Sequence, residues 1–197
     1  MKYTLFIAAS LLAVSGFAQT TKLFIESSVG AASISSNNTQ VTSRYSSPMM
    51  RTAVGYDLNN IRVGVSTARS EYGFSTSTYS VSSVGLLGGY NIDFDHFGLS
   101  ADAILDYRLT SLQRVGSQQI TSGSLSPFDF IFRPSVFIRP IKSYQSVELV
   151  VGYELGLLDL DPTDASLGIS AAHRAFTVGV RALLSQPVKP RKADSTL

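Results

Sequence analysis

The sequence predicts an all-β fold, an eight-stranded antiparallel up-and-down transmembrane β-barrel, and three observations carry that expectation. Apolar and polar residues alternate at spacing two through most of residues 19–185, which is the side-chain period of a strand with two different faces. The alternating segments are long: globular strands average about 5–6 residues, whereas a tilted strand needs about 9–11 to cross a bilayer. The connections between them are long and short in turn, as in barrels with external loops on one rim and tight turns on the other.

The predicted strands cover residues 22–35, 48–58, 61–71, 82–93, 97–110, 127–140, 145–158 and 174–185. The first places Glu26 and Gly30 in one register, and the second alternates Met50, Val54, Tyr56 and Leu58 with Arg51, Gly55 and Asp57. The third and fourth carry Arg62, Gly64, Gly85 and Gly89 in the polar register. In the fifth, Leu99, Ala101, Ala103, Leu105 and Tyr107 alternate with Gly98, Asp102, Asp106 and Arg108. The sixth sets Phe128, Phe130, Phe132, Val136 and Ile138 against Asp129, Arg133 and Arg139. The seventh sets Val147, Leu149, Val151, Tyr153, Leu155 and Leu157 against Glu148, Gly152, Glu154 and Gly156. The last sets Phe176, Val178, Val180 and Leu184 against Gly179 and Arg181. The long connections are 36–47, 72–81, 111–126 and 160–173; the short ones are Asn59-Asn60, the residues around Asp95-His96, and 141–144.

The polar register holds thirteen charges, seven acids and six bases: Glu26, Arg51, Asp57, Arg62, Asp102, Asp106, Arg108, Asp129, Arg133, Arg139, Glu148, Glu154 and Arg181. Alternation alone does not say which register faces in. Three features place the charges inside. Glycines crowd the same register, and in a narrow eight-stranded barrel small residues must make room for long Arg and Glu. Aromatic residues gather near strand ends, Tyr56, Tyr90, Phe97 and Tyr144 by the short turns and Tyr72, Tyr107 and Phe128 by the loops, as in interfacial girdles. A soluble lipocalin-like barrel, apolar inside, would usually carry a Trp near its first strand and a helix after its last; this chain has no Trp.

At the N-terminus, Lys2 precedes an apolar run from Leu5 to Val14 and the small-residue sequence Ser15-Gly16-Phe17-Ala18. Residues 1–18 read as a secretory signal, since the run is too short to span a bilayer as a helix. The barrel then occupies 19–185, and 186–197, with Pro187, Pro190 and the cations Lys189, Arg191 and Lys192, reads as a flexible periplasmic tail. There is no Cys, which excludes disulfides, thiolate metal sites and a lipid-anchored Cys. The net charge of +2 gives no clustered basic face for nucleic acid. Both termini fall on the periplasmic rim.

The signal ending Gly16-Phe17-Ala18-Gln19, the strand ends Val54-Gly55-Tyr56 and Gly88-Gly89-Tyr90-Asn91, and Gly152-Tyr153 resemble small OmpA/OmpX-type outer-membrane β-barrel domains, a porin-like family. The resemblance covers nearly the whole chain after the signal. It implies a bacterial outer-membrane location, outer-membrane lipid and the barrel insertion machinery as partners, and a structural, adhesive or envelope-maintaining role through the external loops. It brings no catalytic residues or cofactor. Two features depart from the pattern: residues 186–197 follow the last strand in place of a terminal aromatic, and Pro134 lies mid-strand. Its missing N–H interrupts the ladder, so a bulge is predicted there.

Catalytic candidates are few. His96 is placed in a short turn and His173 at the end of a long loop, where Ser170 with Glu154 or Asp164 supply a nucleophile and an orienting carboxylate on paper. The clusters Asp159, Asp161, Asp164 and Asp93, Asp95, His96 lack the Gly and late Glu of a calcium loop and read as turn chemistry. No enzyme, metal or cofactor is therefore expected. A structural or interaction barrel is the leading expectation; a small-solute pore and a soluble binder of apolar ligands are the alternatives.

Overall fold

The computed structural model describes residues 21–36, 47–73, 77–94, 96–115, 118–121, 126–140, 146–158 and 171–185; the predicted signal and tail lie outside them. The strands are β1 (Thr21–Ser36), β2 (Ser47–Leu58), β3 (Ile61–Gly73), β4 (Ser77–Phe94), β5 (Phe97–Val115), β6 (Gln118–Thr121), β7 (Phe128–Ile138), β8 (Val147–Gly156) and β9 (Ala171–Ser185). Eight of them pair antiparallel in the order β1-β2-β3-β4-β5-β7-β8-β9, and β9 returns to β1, closing an up-and-down barrel. Short β6 pairs with the outer end of β5 and stands outside the closed ring.

The pairing fixes the tilt. Stepping from strand to strand, Leu23 pairs with Tyr56, then Val63, Gly88, Ala103, Phe132, Leu155 and Arg174, and returns to β1 at Ser33. The path comes back ten residues further along β1. A stagger of that size over eight strands inclines them by about 40°, so each residue climbs roughly 2.6 Å along the barrel axis. A band about 25 Å tall then takes about ten residues per strand, which is why the alternating segments had to be long.

Asn59 and Asn60 join β2 to β3 with φ of 57° and 91°. Both central residues of a two-residue hairpin turn need a left-handed backbone, and Asn tolerates it well. The start of β1 and the end of β9 lie on the same rim, where Thr21 pairs with Leu58 and Lys22 with Ser185.

Four expectations are corrected. Most of the predicted loop 72–81 is strand, because β3 and β4 keep pairing as far as Gly73 and Thr78. Much of the predicted loop 111–126 is an outward hairpin, with Leu112–Val115 of β5 paired to β6. His173 is not a loop residue: β9 begins at Ala171 and His173 points into the barrel. No bulge forms at Pro134. The β5–β7 ladder runs through it unbroken, while the β7–β8 ladder lapses at Arg133 and Pro134 and resumes in the same register at Ser135 opposite Gly152. Skipping two positions keeps every side chain on its proper face, whereas a bulge would move the charges of one strand to the lipid side. The register does slip between Ser82 and Ser83 of β4, where β5 inserts Leu109 as an extra residue.

The wall is apolar outside and charged inside. Val29, Leu86, Tyr90, Leu109, Phe128 and Phe176 are all more than 45% exposed, while Arg51, Arg62, Arg133 and Arg181 are among the largest fully buried side chains. That is the inverse of a soluble barrel and the arrangement a strand-built membrane span requires. Near the short turns Phe94 stacks on Phe97 at 5.1 Å, and at the loop end Tyr107 lies against Phe128 at 5.3 Å. Tyr72, expected in that outer girdle, is instead buried in the lumen.

Candidate functional site

All thirteen charges of the polar register lie on the inner side of the strands or at its rims. Ten are buried; Asp57, Arg108 and Arg139 are half-buried towards the barrel ends. Glycine makes the room. A Cβ on Gly85 would collide with the Asp106 carboxylate, and one on Gly89 with that of Asp102.

The charges form two layers. Nearer the short turns, Glu26, Asp102 and Glu148 interleave with Arg62, Arg133 and Arg181. Arg133 binds Glu26 and Asp102 at 2.7 Å each, and Arg181 binds Glu26 at 2.8 Å and Glu148 at 2.9 Å. Arg62 donates to Asp102 and lies 3.5 Å from Glu26. Aromatic rings cover this layer, Phe24 under Arg62 and Phe137 under Arg181. Arg139 closes the turn end, holding Glu148 at 2.8 Å and Asp93 at 2.6 Å.

Nearer the loops, a single guanidinium holds two carboxylates. Arg51 donates to Glu154 at 2.8 Å and to Asp106 at 2.9 Å, with Ser66 at 3.1 Å. The second oxygen of Glu154 lies 3.2 Å from His173 Nε2, and Tyr72 Oη lies 2.9 Å from His173 Nδ1. Arg108 pairs with Asp129 at 3.1 Å. Burying so many charges costs several kcal/mol per ion unless each finds partners, and these layers supply them.

Tyr72, His173, Ser66, Ser83 and Asn91 also belong to the network but were not among the expected lumen residues. Alternation offered a signal for all five. Ser66 shares the register of Arg62 and Gly64, Ser83 and Asn91 share that of Gly85 and Gly89, and carried one residue past the predicted strand ends the same period turns Tyr72 and His173 inward.

The chain Glu154–His173–Tyr72 has the order carboxylate, imidazole, hydroxyl. It is enclosed, however, and the space beside it, lined by Arg51, Ser70, Ser83, Asp106 and Asp129, measures about 20 Å³, room for roughly one water and not for a substrate. Ser170 and Asp164, imagined as its companions, lie outside the described residues, as do Asp159, Asp161 and Asp95. His96 is exposed at the opposite rim, and Asp93 is held by Arg139. Among the described residues no cluster of three or more His, Cys, Asp or Glu is arranged to hold a metal ion. A wider vestibule of about 220 Å³ opens at the turn end, between Lys22, Asp57, Asn91, Arg139 and Glu148.

No family model matches the sequence, and no curated protein matches it. Solved structures match by shape. Neisserial surface protein A (NspA) superposes with a TM-score of 0.65 at 16% identity, over 83% of this chain and 99% of that one. Ail, the attachment invasion locus protein of Yersinia pestis, solved with the heparin analogue sucrose octasulfate, gives 0.52 at 12% identity over 83% and 99%. The N-terminal β-barrel domain of Pseudomonas aeruginosa OprF gives 0.50 at 9% identity over 81% and 97%. The chain has the fold of these small barrels, with an apolar wall and a charged lumen.

Proposed function

We propose that this protein is a sealed structural barrel of the bacterial outer membrane that anchors an external hairpin and loops for contact with a partner outside the cell, and is neither a solute pore nor an enzyme. The observation that carries this reading is the filled lumen: two layers of Arg–carboxylate pairs cross the barrel and leave space for about one water beside the upper layer. Open aqueous channels are typical of barrels with 16–18 strands. The buried charges equally disfavour an apolar-ligand carrier, whose interior would have to be apolar. Above the band, β5 and β6 extend as a paired arm that offers a surface for contact. The name of Ail, an attachment protein of the same fold, is consistent with such a role. Outer-membrane lipid and the barrel insertion machinery are the partners this reading requires.

Two measurements test it. Cell fractionation with gel migration before and after boiling should place the protein in the outer membrane with a boiling-dependent shift; a soluble, unshifted protein overturns the reading. Planar-bilayer recording should give a silent baseline, and regular conductance steps would establish the pore instead.

A further inference from the structure

The two sides of the barrel mouth at the turn end are finished differently. On one side Arg139 holds Asp93 at 2.6 Å and Glu148 at 2.8 Å, so that three charges close on one another. On the other, Lys22 of β1 and Asp57 of β2 stand directly opposite each other in register, both half-buried. Neither makes an ion pair among the described residues. Between the two sides lies the vestibule of about 220 Å³, with Phe137 and Leu183 in its lining.

Asn91 forms part of the vestibule wall beside Asp57. It is buried, its side-chain amide donates to Asp57 at 3.0 Å, and its side-chain carbonyl oxygen has no hydrogen-bond partner among the described residues. Turning the amide over gives no relief, because it sets that oxygen against the Asp57 carboxylate. A buried acceptor left without a donor keeps the whole cost of its lost hydration. The mouth therefore holds a cation and an anion without ion-pair partners and, next to the anion, an acceptor without a donor. Opposite Cα atoms of a β-pair are about 4.5–5.5 Å apart, which brings the Lys22 and Asp57 head groups within reach of one small molecule.

We propose that this mouth binds an amino-acid zwitterion, an ammonium and a carboxylate carried on one carbon. The ammonium donates to Asp57 and to the Asn91 carbonyl oxygen, and the carboxylate pairs with Lys22. Two antiparallel ion pairs then form where a direct Lys22–Asp57 bridge makes one, and partial enclosure strengthens each over its value in water. A lone carboxylate leaves Asp57 and Asn91 unserved and a lone amine leaves Lys22 unserved, so the site selects for both groups together. The remaining substituent lies towards Phe137 and Leu183, and the vestibule volume keeps it small. With this rim on the periplasmic side, the same chemistry comes from a free amino acid or from the free amino-acid end of a cell-wall peptide. The inference rests on the membrane-barrel reading above.

The test titrates alanine into the purified barrel in detergent micelles and follows the side-chain amide signals of Asn91 by NMR. Alanine should move them saturably, with a midpoint on the order of 1 mM. N-acetylalanine, which lacks the ammonium, and alaninamide, which lacks the carboxylate, should bind about tenfold more weakly or worse. Lys22→Gln and Asp57→Asn should each weaken alanine about tenfold, whereas Lys22→Arg keeps the cation and should bind within a few-fold of wild type. A cell-wall peptide with a free amino-acid end that outcompetes alanine identifies the wall as the source; its exclusion while alanine binds identifies the free amino acid. Boiling-dependent migration of every variant reports a folded barrel, so a wild type without that shift fails the barrel reading itself. In a folded wild type, Asn91 signals that ignore alanine, that respond equally to the two blocked analogues, or that respond unchanged in Lys22→Gln and Asp57→Asn would each overturn the zwitterion site alone.

Discussion

The two layers of the lumen solve the same electrostatic problem in different ways. In the layer near the turns three arginines and three carboxylates interleave, and Glu26 alone touches Arg62, Arg133 and Arg181. In the layer near the loops one guanidinium, Arg51, serves both Asp106 and Glu154, and the Glu154 oxygen it shares with His173 links on through that imidazole to Tyr72. The first is redundant and the second depends on a hub. Deleting one member should therefore have unequal consequences, because the cost of breaking a buried pair comes mostly from the partner left uncompensated.

Arg51→Leu should be the most damaging change. It strips Glu154 and Asp106 of their cation, at a cost of about 3–5 kcal/mol, read as a fall in the urea midpoint for unfolding from lipid vesicles. Arg62→Leu leaves Asp102 with Arg133, and Glu26 with Arg133 and Arg181, and should cost about half as much by the same assay. Equal losses for the two variants would erase the distinction between hub and lattice. A smaller effect is expected of His173→Phe, which keeps a ring but removes both hydrogen bonds, for roughly 1–2 kcal/mol; a double-mutant cycle with Tyr72→Phe should show the two residues coupled. The smallest is Pro134→Val, which restores an N–H where the β7–β8 ladder lapses and should stabilise by less than about 1 kcal/mol. Destabilisation by Pro134→Val would mean that the gap is needed to seat Arg133.

Much of this network was legible before folding. Alternation singles out Glu26, Arg51, Asp102, Arg133 and Arg181 because a strand sends successive side chains to opposite faces, and the glycines in that register foretell crowding. Strand ends were less legible. Ser77 to Val81 and Ser111 to Val115 are rich in Ser, Gln and Arg and read as loop, yet they pair with each other, since a neighbouring strand satisfies their backbone groups whatever their polarity. That is why Tyr72 and His173 were placed outside the barrel. The bulge was misplaced for a similar reason: the missing N–H of Pro134 is a local fact, but whether the chain bulges or skips depends on what faces it, and here β8 tolerates a two-residue lapse.

The sequence by itself determined the period, the number of spanning strands, the two faces and the charges that share one of them, because these follow from side-chain alternation and segment length. It also contained the Asn59-Asn60 turn, whose residue types match the backbone they must adopt. Only the tertiary structure decided which charge meets which. Glu26 on β1 finds Arg133 on β7, and Arg51 on β2 finds Glu154 on β8; these partners lie across a closed cylinder whose stagger is a property of all eight strands together. The register slip at Leu109 has the same origin, since relative height on a tilted wall is set by pairing and not by any one strand.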